Sequence, residues 1–177
     1  FRDFWLALGA KGLYTGIQVV GCPSVRAGRK NGFALNTDGG CKMYKLIIID
    51  DEEKIASGMA QLFPWQNIGF EVVQVFTSAR KALQYIAENP VDVVLTDIEM
   101  PDMNGLELSH RLMEYPNIQK IFFSSYSNYE YFRAALQNGV ADYLMKPVAY
   151  SALLECFEKV KARLDARSAV QETAPKA

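Results

Sequence analysis

Four apolar runs in this sequence each stop at a residue that can ionise or donate a hydrogen bond. "LIIIDD" ends in Asp50 and Asp51, "VVLTD" in Asp97, "IFFS" in Ser124, and "YLMKP" in Lys146 followed by Pro147. Brought together, three carboxylates repel and cannot all stay ionised without compensation. A divalent cation is the obvious compensation, and Mg²⁺ suits a partly hydrated site with few carboxylates. Lys146 supplies the remaining positive charge. Singly, each residue has an ordinary role. Asp50 and Asp51 can cap a helix, where the dipole favours them. Asp97 can be a loop acid, Ser124 a turn residue, and Lys146 a loop residue before proline. Their recurrence at successive strand ends is what points to a site.

Convergence requires parallel strands, and the sequence provides them. Apolar β-rich runs alternate with amphipathic stretches from Met43 onward. Strands are expected at 44–49, 70–76, 91–96, 118–123 and 141–145. Helices are expected from Glu52 to Phe63, stopped by Pro64, and over 79–88, capped by Ser78 with Ala82, Leu83 and Ile86 as the apolar stripe. A third opens at Asn104 or Gly105 and reaches Tyr115, with Leu106, Leu108, Leu112 and Met113 inside. A fourth runs from Asn128 to Gln137 and ends at Asn138-Gly139. The last runs from Ala149 beyond Arg163. Strand–helix alternation implies a parallel sheet covered on both faces, with right-handed crossovers. Five such units cannot close an eight-stranded barrel. The expected fold is α/β: a flavodoxin-like, doubly wound (βα)5 sandwich with strand order 2-1-3-4-5. Such sheets bind ligands at the carboxyl ends of their strands.

Composition narrows the rest. The chain has 177 residues, is 50% hydrophobic and carries a net charge of −1, so one sizeable core is possible and there is no global attraction for nucleic acid or anionic membrane. No apolar run reaches the length of a membrane span. Three cysteines and one histidine, without metal-ligand spacing, argue against structural zinc and disulfides and for a cytoplasmic protein. Residues 1–42 lack sustained helical or strand period. They read as a non-domain extension, either disordered or upstream read-through, because Gly39-Gly40 can be encoded as a ribosome-binding sequence just before Met43. The domain is expected over 43–165. Residues 166–177 are polar and read as a disordered tail or the start of a linker.

The segments "LIIIDDE", "VVLTDIEMPDMNGLEL", "IFFSSYSNYEYF" and "ADYLMKPV" resemble the receiver domain of two-component response regulators. The likeness spans about residues 43–163. "FPWQNIGFEVV" and "SYSNYEYFRAALQNGVADYLMKPV" further resemble receivers that precede AraC-type DNA-binding domains. The resemblance implies that Asp97 is the phosphoacceptor, attacking a phosphohistidine of a sensor histidine kinase. It implies Mg²⁺ held by Asp50, Asp51, Asp97 and the backbone carbonyl of Glu99, with Asp50 acting through water. Lys146 would pair with phosphoryl oxygens, Ser124 would hydrogen-bond one, and Tyr143 would be the switch aromatic. Glu99 and Tyr126 would tune hydrolysis of the acyl phosphate. Relatives dimerise through the face of the fourth helix, fifth strand and fifth helix. Ser125 and Ala79 depart from the family pattern, where Gly or Ala, and Gly, are usual; neither touches the acid–lysine set.

A second reading is an aspartyl-phosphate phosphatase of haloacid-dehalogenase type. That chemistry wants a second Asp two residues after the nucleophile, where this chain has Glu99. No GxGxxG follows strand 1 and no Walker A sequence occurs. No DNA-binding helix-turn-helix follows the last helix, so DNA would be reached only through a further domain. In that helix Leu153, Phe157, Val160 and Leu164 form a 4-3-4 seam that continues past the length the sheet needs. It reads either as ordinary packing or as a connector.

Overall fold

The computed structural model describes residues 42–125, 139, 140 and 142–173. Five parallel strands, β1 (Tyr44–Ile49), β2 (Phe70–Phe76), β3 (Val93–Thr96), β4 (Gln119–Ser124) and β5 (Asp142–Met145), form one sheet in the order β2-β1-β3-β4-β5. The described helices are α1 (Glu53–Leu62), α2 (Ala79–Glu88), α3 (Gly105–Arg111) and a C-terminal α4 (Tyr150–Thr173). This is the expected doubly wound sandwich. The fourth helix expected at 128–137 lies outside the described residues. So do Tyr126 and residues 1–41.

β1 reads "YKLIII" without polar alternation because both of its faces are covered. Leu46 and Ile48 join a core with Val93, Leu95, Ile121 and Phe123, packed under α1 and α4. Ile47 and Ile49 point the other way, into a core with Ala79, Ala82, Ile86, Leu108 and Leu112 under α2 and α3. The seam of Leu153, Phe157, Val160 and Leu164 is wholly buried. Trp65, on a short 3₁₀ turn after Pro64, meets Phe157 edge-on with centroids 4.7 Å apart and donates its indole N–H to the Met59 carbonyl.

Several boundaries differ from expectation, each for a local reason. β3 starts at Val93 because the Asp92 carboxylate, not a strand carbonyl, accepts the Lys45 amide at 2.7 Å. Met113 is 53% exposed, not inside. α3 ends at Arg111 and tightens to a 3₁₀ turn over Leu112–Glu114, where Leu112, one turn after Leu108, stays buried and Met113 faces outward. Residues 166–173, expected as a disordered tail or linker, continue α4 as helix. The helix is fastened to the body around the start of this stretch: Tyr44 Oη donates to Asp165 (2.6 Å), Lys42 Nζ to Ser168 Oγ (2.6 Å) and Arg167 to the Pro116 carbonyl (2.9 Å). Among the described residues no helix is long and apolar enough to cross a membrane.

Candidate functional site

The sheet's backbone ladder continues one residue past three strand ends, and this fixes where the polar side chains begin. The Asp50 amide donates to the Phe76 carbonyl on β2 (3.0 Å), the Asp97 amide to Ile49 on β1 (2.9 Å), and the Lys146 amide to Ser124 on β4 (2.8 Å). Parallel pairing with aligned register then gathers Asp50, Asp51, Asp97, Ser124 and Lys146 at one edge of the sheet.

Lys146 lies between two of the carboxylates. Its ammonium donates to Asp50 Oδ2 at 2.5 Å and to Asp97 Oδ2 at 2.7 Å. All three side chains are largely buried, at 7%, 2% and 12% exposure, so solvent screens these pairs little. The ammonium also stands 5.0 Å from the Phe123 ring centroid. Asp50 Oδ1 accepts the Glu52 amide at 3.0 Å, and Asp97 Oδ1 its neighbour Ile98's amide at 2.6 Å. Thr96 Oγ1 donates to the Asp97 carbonyl at 2.9 Å.

Burial pushes the Asp50 carboxyl up to about 6, against the downward pull of Lys146 and with a further upward push from Asp97. For Lys146, burial alone would lower the pKa, but Asp50 and Asp97 outweigh it and hold it above the ordinary lysine value. The ammonium therefore stays charged at neutral pH. One cation faces three acids. Asp51 is exposed, and the ligand oxygens of Asp50, Asp51 and Asp97 all lie within 4.8 Å of one another. This is an oxygen donor set with net negative charge and one side open to water, which fits a hard divalent cation.

The other expected site residues fall as follows. Ser124 is fully buried as the last residue of β4. Tyr143 on β5 is half-buried and meets Phe122 edge-on at 6.3 Å. Glu99 is exposed in the loop after Asp97. Tyr126 is outside the described residues.

Two features of this loop are not legible from residue type alone. Gly105 was expected only to open α3. Its amide donates to the Ile98 carbonyl at 2.8 Å, and a Cβ built there would lie 2.3 Å from the Asp97 carbonyl oxygen and 3.0 Å from Ile98 Cα. Both obstacles are backbone, so neither can swing away. Gly105→Ala is expected to cost about 1–3 kcal/mol of stability by overpacking and to displace Asp97; urea denaturation measures the first, and an unchanged midpoint would show that the loop yields freely. The second feature is Asp102, whose carboxylate reaches α2 by accepting from the Ser78 hydroxyl at 2.6 Å. Asp102 gave no signal beyond being a polar residue in a turn, and Ser78 signalled only a helix cap.

Residues 46–158 match the response regulator receiver domain family. The chain is 36% identical over 122 residues to an uncharacterized response regulatory protein of Staphylococcus epidermidis, covering 69% of this chain and 48% of that one. It is 36% identical over 111 residues to the transcriptional regulatory protein HptR of Staphylococcus aureus, covering 63% of this chain and 44% of that protein. It thus spans about half the length of these relatives. Among solved structures, the REC domain of AraT, a response regulator from Geobacillus stearothermophilus, superposes with a TM-score of 0.66 at 33% identity, over 71% of this chain and 98% of that one.

Proposed function

The chain belongs to the response regulator receiver domain family, and from that premise we propose that it is the phospho-accepting switch of a two-component pathway. A sensor histidine kinase, the general partner of this family, would donate the phosphoryl group. An Asp97 oxygen attacks phosphorus in line, the P–N bond to the kinase imidazole breaks, and an acyl phosphate forms. The observation that carries this reading is Asp97 itself. Its carboxylate ends a buried strand, is oriented by the Ile98 amide at 2.6 Å and is held by the Lys146 ammonium at 2.7 Å.

Asp50, Asp51, Asp97 and the Glu99 backbone carbonyl would hold Mg²⁺, Asp50 through water. When bound, that ion supplies charge neutralisation for phosphoryl transfer. Lys146 would turn from the carboxylates to the phosphoryl oxygens. Ser124 would donate to one of them, and Tyr143 would move into the space this vacates. Glu99 and Tyr126 would set how fast water reaches the acyl phosphate. The domain catalyses only its own phosphorylation and dephosphorylation.

The output is transcriptional, through a DNA-binding domain of AraC type beyond this chain. Supporting this are the half-length coverage of relatives named as transcriptional regulators and the likeness of residues 63–73 and 125–148 to receivers of that class. The setting is the cytoplasm. Phosphorylation would favour dimers through the face of the fourth helix, β5 and α4.

Incubation with Mg²⁺ and acetyl phosphate tests the reading. The expected product carries one phosphoryl group that is stable in acid and labile in base. Turnover of a generic phosphomonoester would favour the haloacid-dehalogenase alternative instead. Sedimentation of the phosphorylated sample tests the output, and an unchanged monomer would rule out dimerisation.

A further inference from the structure

The loop between β3 and α3 is fastened at three kinds of contact. At its base, the Gly105 amide meets the Ile98 carbonyl at 2.8 Å. On its inner side, Met100 and Met103 are buried in the same core as Ala79 and Ala82 of α2. At its far end stands Asp102. Its Oδ2 accepts from Ser78 Oγ at 2.6 Å and from the Arg80 amide at 3.2 Å, while Arg80 Nε donates back to the Asp102 carbonyl at 3.2 Å.

Ser78 is the N-cap of α2, and its hydroxyl oxygen also accepts the Lys81 amide at 3.3 Å. Asp102 therefore places a carboxylate at the positive end of a neighbouring helix, through a residue already locked by capping. Burial would raise the Asp102 carboxyl, but the Ser78 hydroxyl and the nearby amides of Arg80, Met103 and Ala79 outweigh it and hold the group below its ordinary value. It stays an anion, and the anion makes the strong, short form of the bond.

These contacts differ in what they can fix. Methionine side chains are unbranched and adapt to irregular space; they keep the loop down without choosing its exact lie. The Asp102 bonds are directional and end on the capping hydroxyl of Ser78 and on Arg80 in the first turn of α2. Between Asp97 and this tie stand only Ile98, Glu99, Met100 and Pro101. Of these, Ile98 and Met100 are buried, whereas Glu99 and Pro101 are exposed.

We propose that Asp102 is a positioning residue for the Asp97 site: tied through Ser78 to the N-terminus of α2, it fixes the lie of the loop and so where the Glu99 carbonyl is presented beside Asp97. This rests on the reading of Asp97 as phosphoacceptor and of the Glu99 carbonyl as a ligand for Mg²⁺. Groups that orient metal ligands typically change metal affinity by roughly 10-fold or more when lost; Asp102 would act on the Glu99 carbonyl through the short stretch of chain between them.

The test compares the wild type with Asp102→Ala, Asp102→Asn, Ser78→Ala and the Asp102→Ala/Ser78→Ala pair. Mg²⁺ affinity is measured by calorimetry, and phosphoryl uptake from acetyl phosphate is followed at low and saturating Mg²⁺. Asp102→Ala is expected to weaken Mg²⁺ roughly 10-fold and to slow uptake mainly at low Mg²⁺. Asp102→Asn should weaken Mg²⁺ less than Asp102→Ala, because its amide oxygen can still accept from the Ser78 hydroxyl and the Arg80 amide while the charge is lost. Ser78→Ala should weaken Mg²⁺ as Asp102→Ala does, and the pair should add little to either. A role in folding alone would shift the urea midpoint but leave the Mg²⁺ affinity of the folded protein unchanged. Should Asp102→Ala not fold, Ser78→Ala carries the same comparison. Wild-type affinity and uptake in folded Asp102→Ala or, in that case, Ser78→Ala would overturn the inference alone. A wild type that neither binds Mg²⁺ nor takes up phosphate would overturn it together with the reading of the site.

Discussion

Asp97→Asn is expected to take up no phosphoryl group from acetyl phosphate under conditions that label the wild type. The substitution preserves shape, and its carbonyl oxygen can still accept the Ile98 amide that orients the native side chain at 2.6 Å. What it removes is the nucleophile, since an amide oxygen has neither the charge nor the lone-pair availability of a carboxylate. The fold should survive. One of three mutually repelling acids is gone, and Asp97 is one of the groups that push Asp50 upward, so Asp50 should ionise at lower pH in the variant. Mass spectrometry of intact protein decides the first point, and urea denaturation of the same sample shows that the loss is chemical. Labelling that persists in Asp97→Asn would move the acceptor to another side chain, and Asp50 and Asp51 would be the first to examine.

The sequence made the sheet order and the strand-end residues legible for one physical reason. A strand buried on both faces must be apolar throughout, so an acid directly after "LIII" or "VVLT" marks the point where the sheet meets water. Five strands in alternation with helices leave little freedom in topology, and convergence of the four polar strand ends follows. Contacts between segments distant in sequence were not legible. The Asp102–Ser78 bond joins residues 24 apart, and neither residue type announces it. Gly105 could be a cap or a close approach, and only the packed backbone of Asp97 distinguishes them. The state of the C-terminal residues was open for a related reason. "SAVQET" is polar enough for a tail or a linker, and Ser168 at its start accepts from Lys42, far away in the chain. Lys146 also carried only part of its signal: its charge offsets the acids and the family resemblance implies a phosphoryl contact, but neither shows a bridge between Asp50 and Asp97.

That bridge makes Lys146→Met the most informative change for stability. Methionine keeps an unbranched apolar side chain of similar length and removes the charge that stands over the Phe123 ring. Breaking one side of a buried pair leaves uncompensated charge and costs about 3 kcal/mol or more, here shared between Asp50 and Asp97. The loss should depend on pH with a definite sign. Asp50 already titrates near 6 in the folded protein, above its ordinary value, because of burial; without Lys146 it must rise further. A group whose folded pKa is raised contributes stability that is complete below its unfolded pKa and is lost as pH rises through the folded one. The variant should therefore be weakest at pH 7–8 and approach the wild type as pH falls toward 4, where Asp50 is neutral and needs no partner. Mg²⁺ should act in the opposite place. With one cation fewer, the acid cluster should bind the ion more tightly, and binding to the folded state alone adds about 2.7 kcal/mol when the free ion is at 100 times its dissociation constant. Urea denaturation at pH 5 and 7.5, each with and without Mg²⁺, gives the four midpoints required. A loss equal at both pH values, or one that Mg²⁺ does not repair at pH 7.5, would mean that Lys146 holds the site by packing and not by charge.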